Sequence, residues 1–407
     1  MFQKTILLFF ISFLLLQNKL ESQTAEAWKT KAQDSFLQLL RTQNQKKLNN
    51  IRIQLWTVTP GVSVTTAFGH SALRIFEGKE YGDSDYYLDF GVYDPSPGFL
   101  WRFMKGEANF FVNIIPTGSA YQTWDESGRG IRVSELVLTE TQKHTMLNEI
   151  LSIYEANQNG YYYDNFTNNC VTFLRQILSK THGKPIELIT MDAEKNTWRK
   201  RVQPYSTSIV WLNVNETLLF DKDTDIVRNP NEIIYLPEDL RQAVVDAGLS
   251  AESTVLLKDR WGDKSGKSGA LWRILFAIIL IFSLPFPLMK IFERYSEITF
   301  AFVSGIGGTI ATLVYFFTSF SFMNETISWL VYSPLDFLLL KPYKSWKNKR
   351  NYWIFVGVRV FMILLAFILR ISIYPQDVDA ILFLSSVFFG LLIFKKRTEL
   401  HSIFKPS

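Results

Sequence analysis

Apolar runs in the last third of the chain constrain the fold most strongly. They cover roughly residues 271–289, 298–322, 326–340, 352–373 and 378–394. A helix needs about 20 apolar residues to cross a bilayer, so four of these runs are predicted to span a membrane. The run 326–340 is shorter and contains Pro334 and Asp336, which predicts a broken or re-entrant helix.

The charges between these runs predict their orientation. Lys and Arg follow the first, third and fifth runs, whereas the loops 321–327 and 371–377 contain neither residue type. Because basic loops stay on the cytoplasmic side, this alternation fits five crossings with residues before 270 outside. We therefore predict an all-α transmembrane domain of about five helices over residues 271–407, ending in a cytoplasmic C-terminus.

The N-terminus predicts export of the residues that follow it. Lys4 precedes a short apolar stretch over residues 5–16, which suits a signal peptide or a signal anchor over residues 1–22. An exported domain over residues 23–262 and a Gly/Ser/Lys linker over 263–270 are then expected. Although the net charge is +5, many basic residues flank the apolar runs, so the charge indicates topology and gives no reason to expect a nucleic-acid partner.

Charged residues within or near the predicted spans form a separate group of functional candidates. They are Arg359, Arg370, Asp336 and Asp379. Arg370 and Asp379 lie near helix ends, from which a charged side chain reaches water. Arg359 is nearer the middle of its run, where a charge is costly, so a structural ion pair and a lipid head-group contact both stay open.

The exported domain has an α+β pattern in which strands come first. IRIQLWTVTPG, SALRIF and YYLDFGVY are predicted strands. Thr139 and Gln142 form a capping-box pattern at the start of a helix, and a second helix begins near Cys170, capped by Asn168 or Asn169. Residues 186–257 carry no interpretable motif.

Cys170 is the only cysteine in the 407 residues, so it has no disulfide partner in the chain. A thiol attacks as thiolate, which helix N-termini and histidines favour. The N–H groups at the predicted helix start would favour this anion and later stabilise an oxyanion. A packed, inert side chain is the alternative. A zinc site is disfavoured because no Cys/His cluster has ligand spacing, and no cofactor is expected.

His70 is the histidine best placed to serve this thiol as a base. It opens the strand SALRIF, whereas His144, His182 and His401 lie on predicted helices or in the tail. The neighbouring strand YYLDFG would place Asp89 beside it. Asp89 would hold the imidazole tautomer and orientation, with Asp94 and Tyr87 as weaker alternatives.

Several motifs in order resemble the Lnb family of bacterial membrane proteins, named for lipoprotein N-acylation. They are PGVSVTTAFGHSALRI, YYLDFGVYD, FLWRFMKGEANFFV, LTETQKHTMLNEIL and YYYDNFTNNCVTFLRQIL, and later NETISWLVYSPLDFLLL. The resemblance implies a permuted papain-like fold of the NlpC and lecithin–retinol acyltransferase kind. In that fold the histidine strand precedes the cysteine helix, as His70 precedes Cys170.

The resemblance also implies roles for individual residues. Cys170 would be the nucleophile and His70 the base. Asp89 is less secure, because the family often has Asn at the aligned position. Lys105, Asn169 and Arg175 match family motifs and are taken as candidate substrate-binding residues.

The activity implied by this resemblance is acyl transfer at the bacterial inner membrane, with the catalytic domain in the periplasm. A membrane phospholipid would donate an acyl chain to Cys170, and the N-terminal amine of a diacylglyceryl-cysteine lipoprotein would accept it. Three rivals stay open. They are a cell-wall cysteine peptidase or amidase, a lipid hydrolase or thioesterase, and a membrane sensor whose thiol is inert.

Overall fold

The computed structural model describes residues 31–45, 47–63, 65–94, 96–189, 196–206, 209–261, 290–372 and 376–403. The predicted signal segment 1–22, the linker 263–270 and the first apolar run 271–289 lie outside these ranges. The chain forms two compact units. One comprises residues up to 59, 69–189 and 234–260, and the other comprises 60–68, 190–233 and the residues from 261 onward.

The first unit is built around a seven-stranded antiparallel sheet with the strand order β6-β4-β3-β2-β1-β5-β7. Its strands are β1 Ile51–Val58, β2 His70–Glu77, β3 Asp85–Tyr93, β4 Asn109–Pro116, β5 Ile131–Glu135, β6 Tyr161–Tyr162 and β7 Thr254–Leu257. The three predicted strands are confirmed as β1, β2 and β3. They form the centre of the sheet, where nearly all residues of β1 and β2 and the first half of β3 are buried on both faces.

The helices of this unit include both predicted ones. In chain order they are α1 Lys31–Thr42, α2 Phe99–Lys105, α3 Thr117–Glu126, α4 Glu140–Ala156, α5 Cys170–His182 and, after an excursion into the second unit, α8 Pro237–Asp246. The capping box of Thr139 and Gln142 starts α4 as predicted. α5 packs against α4, β2 and β3, so its first turn lies against the strands that carry His70 and Asp89.

The second unit is helical. It contains α6 Trp198–Ser206, α7 Val210–Leu219, α9 Lys290–Phe317, α10 Ser328–Val331, α11 Lys349–Ser372 and α12 Asp379–Ile403, with 3-10 turns at Lys222–Asp225, Pro334–Leu340 and Tyr343–Ser345. In the part of the chain that the structure describes, two helical stretches have the length and hydropathy of membrane spans, Arg294–Phe317 and Lys349–Ser372. The predicted count of five stays a prediction.

The run 326–340 is a broken segment, as its proline predicts. The single turn α10 and the following 3-10 turn are separated at Ser333, whose side chain caps the second piece. One end lies near Gln376, which hydrogen-bonds Thr326 at 2.9 Å. At the other end, the carbonyl of Leu339 accepts a hydrogen bond from Arg294 at 2.7 Å.

Arg359 and Asp336 form a fully buried ion pair at this break. The guanidinium contacts the carboxylate twice, at 2.6 and 2.9 Å, and also donates to the carbonyls of Leu330 and Val331. These carbonyls end α10 and have no partner within the helix, so Arg359 supplies the hydrogen bonds that the break removes. The structural alternative for Arg359 is therefore confirmed.

Candidate active site

The segment TNNCVTFLR folds into a capped helix start around the cysteine. Cys170 is the first residue of α5, and Asn169 is its N-cap. Asn169 Oδ1 accepts hydrogen bonds from the N–H groups of Val171 at 2.8 Å and Thr172 at 3.0 Å, and Thr172 Oγ1 accepts one from Asn169 N–H at 2.8 Å. These reciprocal bonds fix the first turn, so the half-exposed thiol of Cys170 has a defined position.

Antiparallel pairing of β2 with β3 brings His70 and Asp89 together. The register pairs Leu73 with Leu88, and extending it by three residues places Gly91 opposite His70. Asp89 is two residues from Gly91 and therefore shares the face of the sheet that carries His70. His70 Nε2 and Asp89 Oδ1 are 2.8 Å apart, and both side chains are about seven-eighths buried, with exposures of 13% and 14%.

His70 lies between the carboxylate and the thiol. Because Nε2 contacts Asp89, Nδ1 is the ring nitrogen left to interact with the thiol of Cys170. Burial alone would lower the pKa of His70. The negative charges of Asp89 and of the Cys170 thiolate outweigh burial and raise that pKa from 6.5 to about 10. This environment favours the imidazolium form of His70 at neutral pH.

Gly91 provides the space in which the imidazole lies. A Cβ atom at this position would be 2.6 Å from His70 Cε1, which is closer than any packed pair of carbon atoms. The residue lies at a register shift in β3 between Asp89 and Val92, and its N–H donates to Asp89 Oδ1 at 2.6 Å. The irregularity in β3 therefore orients the Asp89 carboxylate and also leaves room for the His70 ring.

Trp124 and Arg129, which the sequence did not reveal, and Tyr87 surround the buried side of His70. The Trp124 ring lies 5.6 Å from the imidazole, between ring centroids, and its Nε1 donates to Tyr87 Oη at 3.1 Å. The Arg129 guanidinium lies 4.8 Å from the Trp124 ring centroid, and its Nε donates to Thr59 O at 2.7 Å. Burial lowers the pKa of Arg129 to about 10, so it is still a cation at neutral pH.

Comparison with known protein families gives one match. Residues 39–208 match the family model described as the Lnb N-terminal periplasmic domain. This segment belongs to the Lnb family. The matched range contains the Cys170, His70 and Asp89 side chains and is consistent with a membrane-associated protein of lipoprotein maturation. No curated protein and no solved structure matched the chain, so the papain-like arrangement of the Lnb domain stays a prediction.

The remaining predicted residues of the Lnb domain have identifiable contacts. Asn169 caps the cysteine helix, as described above. Lys105 Nζ lies 2.5 Å from Glu107 Oε2, and Arg175 Nη1 donates to the carbonyl of Ile234 at 3.1 Å. These contacts explain how the three side chains are held, and their part in binding a substrate stays a prediction.

The two weaker alternatives to Asp89 have other partners. Asp94 Oδ1 accepts a hydrogen bond from Ser96 N–H at 2.9 Å, and Tyr87 accepts the one from Trp124. Asp89 is thus the carboxylate that the structure brings to His70. Within the described ranges, no three His, Cys, Asp or Glu side chains gather in a way that would hold a metal ion.

Aromatic rings continue from the cysteine helix across the Lnb domain. Phe173, on the first turn of α5, contacts Tyr161 at a centroid distance of 4.8 Å. Beyond Tyr161 lies an aromatic cluster in which neighbouring centroids are 4.4–5.9 Å apart; it comprises Tyr93, Phe99, Phe103, Phe110 and Tyr163. The pKa of Tyr163 is raised by burial and further by the charge of the Cys170 thiolate, so the cluster extends into the electrostatic neighbourhood of the thiol.

Proposed function

We propose that this protein is a membrane-bound lipoprotein N-acyltransferase. It moves an acyl chain from a phospholipid to Cys170 and then to the N-terminal amine of a diacylglyceryl-cysteine lipoprotein. The observation that carries the proposal is the hydrogen bond of His70 with Asp89 next to the Cys170 thiol within an Lnb domain. A thiolate beside an imidazolium is the arrangement that covalent acyl transfer requires.

In the first half-reaction, the Cys170 thiolate attacks an ester carbonyl of the phospholipid. A carbon–sulfur bond forms, and the carbonyl electrons move to oxygen. As the tetrahedral intermediate collapses, the imidazolium of His70 gives its proton to the leaving lysophospholipid oxygen. The products are a thioester on Cys170, a lysophospholipid and neutral imidazole.

In the second half-reaction, the amine of the lipoprotein attacks the thioester. Neutral His70 accepts a proton from the attacking nitrogen, an amide bond forms, and Cys170 leaves as thiolate. The imidazolium–thiolate pair is thereby restored. Asp89 contacts His70 through Nε2 in both steps, so the nitrogen that exchanges protons is always the one facing the thiol.

The capped helix start limits which donors can stabilise the oxyanion. The sequence predicted the N–H groups of the first turn in this role, but those of Val171 and Thr172 donate to Asn169 Oδ1. The N–H of Cys170 itself has no hydrogen-bond acceptor among the described residues. We assign the oxyanion to this group, which is covalently next to the attacking sulfur.

The proposed location is the bacterial inner membrane, with several crossings, an exported catalytic domain over residues 23–262 and a membrane domain over 271–407. Contacts within the second unit support the predicted alternation of its loops between two sides. The loops 321–327 and 371–377, both predicted outside, meet where Gln376 bonds Thr326. The basic segments predicted inside also meet, since Lys396 Nζ lies 5.0 Å from the Tyr343 ring centroid.

A hydrolase with the same three residues is the principal rival. Water would then replace the amine, and the thioester would yield a free fatty acid. The aromatic rings beside the thiol and the span-length helices favour lipid as donor over a cell-wall peptide. They do not distinguish the two acceptors, so the test must identify the acylated product.

Mass spectrometry of lipoprotein N-termini tests the proposal in cells whose only N-acylating protein is this chain. We expect triacylated lipoproteins with the native chain, and diacylated ones with free amines for Cys170→Ala and His70→Gln. The matched control is His144→Gln, which changes a histidine that contacts Gln43 at 2.5 Å, away from the proposed active-site residues. Unchanged triacylation in the Cys170→Ala cells would refute the transferase.

A further inference from the structure

The short helix α2 is apolar on both of its faces. Phe99 and Phe103 face inward and belong to the aromatic cluster. Trp101 and Met104, one turn apart, are 54% and 46% exposed. Five of the seven residues in FLWRFMK are apolar, and two of them, Trp101 and Met104, are about half exposed among the described residues.

Glycines bound this helix at both ends. Gly98 has φ +86° and Gly106 has φ +74°, which are left-handed conformations that other residues rarely adopt. The chain therefore turns sharply before and after α2. As a result, seven residues project as a compact element, and the Trp101 ring lies on its outer side.

The inner side of α2 is connected to the thiol through packed rings. Phe103 contacts Tyr163 at a centroid distance of 5.9 Å, and Tyr163 stacks on Phe110 at 4.4 Å. Phe110 is next to Tyr161, 6.2 Å away, which contacts Phe173 on the cysteine helix. These ring contacts therefore form a continuous series from the inner side of α2 to the cysteine helix.

We propose that the outer face of α2 is a lipid-contacting surface that enters the head-group region of a phospholipid bilayer. Tryptophan is the side chain most suited to that depth, because its ring is apolar and its N–H is polar. Arg102, whose guanidinium donates to the neutral acceptors Pro97 O and Ser96 Oγ, gives the same helix a cation for anionic head groups, whereas Lys105 is paired with Glu107. The chain itself carries helices of span length, so a bilayer is the apolar phase available to this surface.

This surface goes beyond the proposed function, since it concerns where the Lnb domain meets lipid and needs no particular acceptor. A lipid hydrolase would use it equally. A protein partner would also cover an exposed tryptophan, but it would leave the side chain inaccessible to reagents dissolved in the lipid phase. The two occupants are therefore distinguishable by measuring contact with lipid directly.

The lone cysteine makes this measurement simple. Cys170→Ser removes the only thiol, so adding Trp101→Cys gives a full-length chain with one labelling position. An environment-sensitive fluorophore is attached there, and the protein is reconstituted into vesicles of phosphatidylethanolamine and phosphatidylglycerol. Spin-labelled lipids that quench fluorescence near the head groups then report contact.

The matched control carries the fluorophore at Val137, which is 73% exposed. Val137 follows β5, and α2 is followed by β4. These two strands are four positions apart in the sheet, which corresponds to about 19 Å between them at the usual strand spacing. Met104→Cys repeats the measurement on the α2 surface, so that one poorly folded variant does not decide the result.

We expect the lipids to quench the fluorophore at position 101 or 104 at least about twofold more strongly than at 137, with emission shifted to shorter wavelength. The proposal is overturned if quenching at both α2 positions equals that at 137. It is also overturned if the α2 probes are shielded from aqueous reagents yet unaffected by the lipid quenchers, which would indicate a protein partner. None of these outcomes depends on acyl transfer, so failure here leaves the proposed function standing.

Discussion

Asp89 offers a sharp test of the site because two substitutions separate its geometry from its charge. Asp89 Oδ1 accepts hydrogen bonds from His70 Nε2 and from Gly91 N–H. An asparagine places an amide oxygen at the same position and can accept both bonds. Alanine removes the oxygen and leaves the ring nitrogen and the N–H group without their acceptor.

The expected magnitudes follow from these bonds. A hydrogen bond to a charged group contributes about 1.5–3 kcal/mol, so Asp89→Ala should lower kcat/KM for acyl transfer roughly 10- to 150-fold. A neutral hydrogen bond is about half as strong as a charge-assisted one, so Asp89→Asn should lower it only about fivefold. The ratio between the two variants therefore measures orientation of the imidazole separately from charge.

The pH dependence should change with the charge. Asp89 is a principal cause of the raised pKa of His70, which is about 10. Acyl transfer by the native protein should persist until pH approaches 10, where the imidazolium that protonates the leaving oxygen is lost. In Asp89→Asn this decline should begin at lower pH, because burial then lowers the pKa of His70 with less opposition.

The raised pKa of His70 also makes the stability of the fold depend on pH. Because the pKa of His70 is raised above its ordinary value of 6.5, the ion pair stabilises the fold fully below about pH 6.5 and progressively less as pH rises through 10. The difference in Tm between native and Asp89→Ala proteins should therefore shrink on the alkaline side. Equal activity of Asp89→Ala and native protein across this range would refute the role of the carboxylate.

Three further predictions address the surroundings. Gly91→Ala should lower acyl transfer about 100-fold by displacing the imidazole, with Gly118→Ala, whose Cβ meets nothing within 4 Å, as control in the same assay. Arg129→Met should slow alkylation of the Cys170 thiol at pH 7 roughly fivefold, an effect of ~1 kcal/mol from a nearby cation, and Arg129→Lys should restore the rate; equal rates would exclude that role. Asp336→Leu should cost about 3–5 kcal/mol in unfolding experiments by leaving Arg359 buried and unpaired, and Asp336→Leu/Arg359→Leu should recover much of it; an additive loss would contradict the pairing.

The sequence predicted those features that depend on local patterns. Apolar segments bounded by turn residues identified the central strands β1 to β3, and short-range hydrogen-bonding patterns identified the cap at Thr139 and limited the cap of the cysteine helix to Asn168 or Asn169. The pairing of His70 with Asp89 could also be predicted, because adjacent antiparallel strands have few possible registers. These successes need knowledge of only one strand pair or one helix turn.

Features that depend on distant contacts were not predictable. Trp124, on α3, contacts His70, and Arg129, in the segment after α3, contacts Trp124; neither residue belongs to a local motif. Gly91 belongs to no motif, and its role depends on the strand register that places it opposite the imidazole. Residues 196–233 have mixed composition, and their association with the C-terminal helices depends on contacts such as Asp221 N–H to the carbonyl of Phe322 at 2.9 Å.

The most direct test of the central claim is detection of the acyl group on Cys170. The full-length protein is incubated with phospholipid vesicles, quenched in acid and digested, and the peptide containing Cys170 is analysed by mass spectrometry, with Cys170→Ala as the blank. We predict a single acyl chain on the thiol that neutral hydroxylamine removes and that added diacylglyceryl-cysteine peptide converts to an N-acyl peptide. Transfer to the peptide without any acyl group on Cys170, or an acyl group that the peptide never receives, would contradict the account.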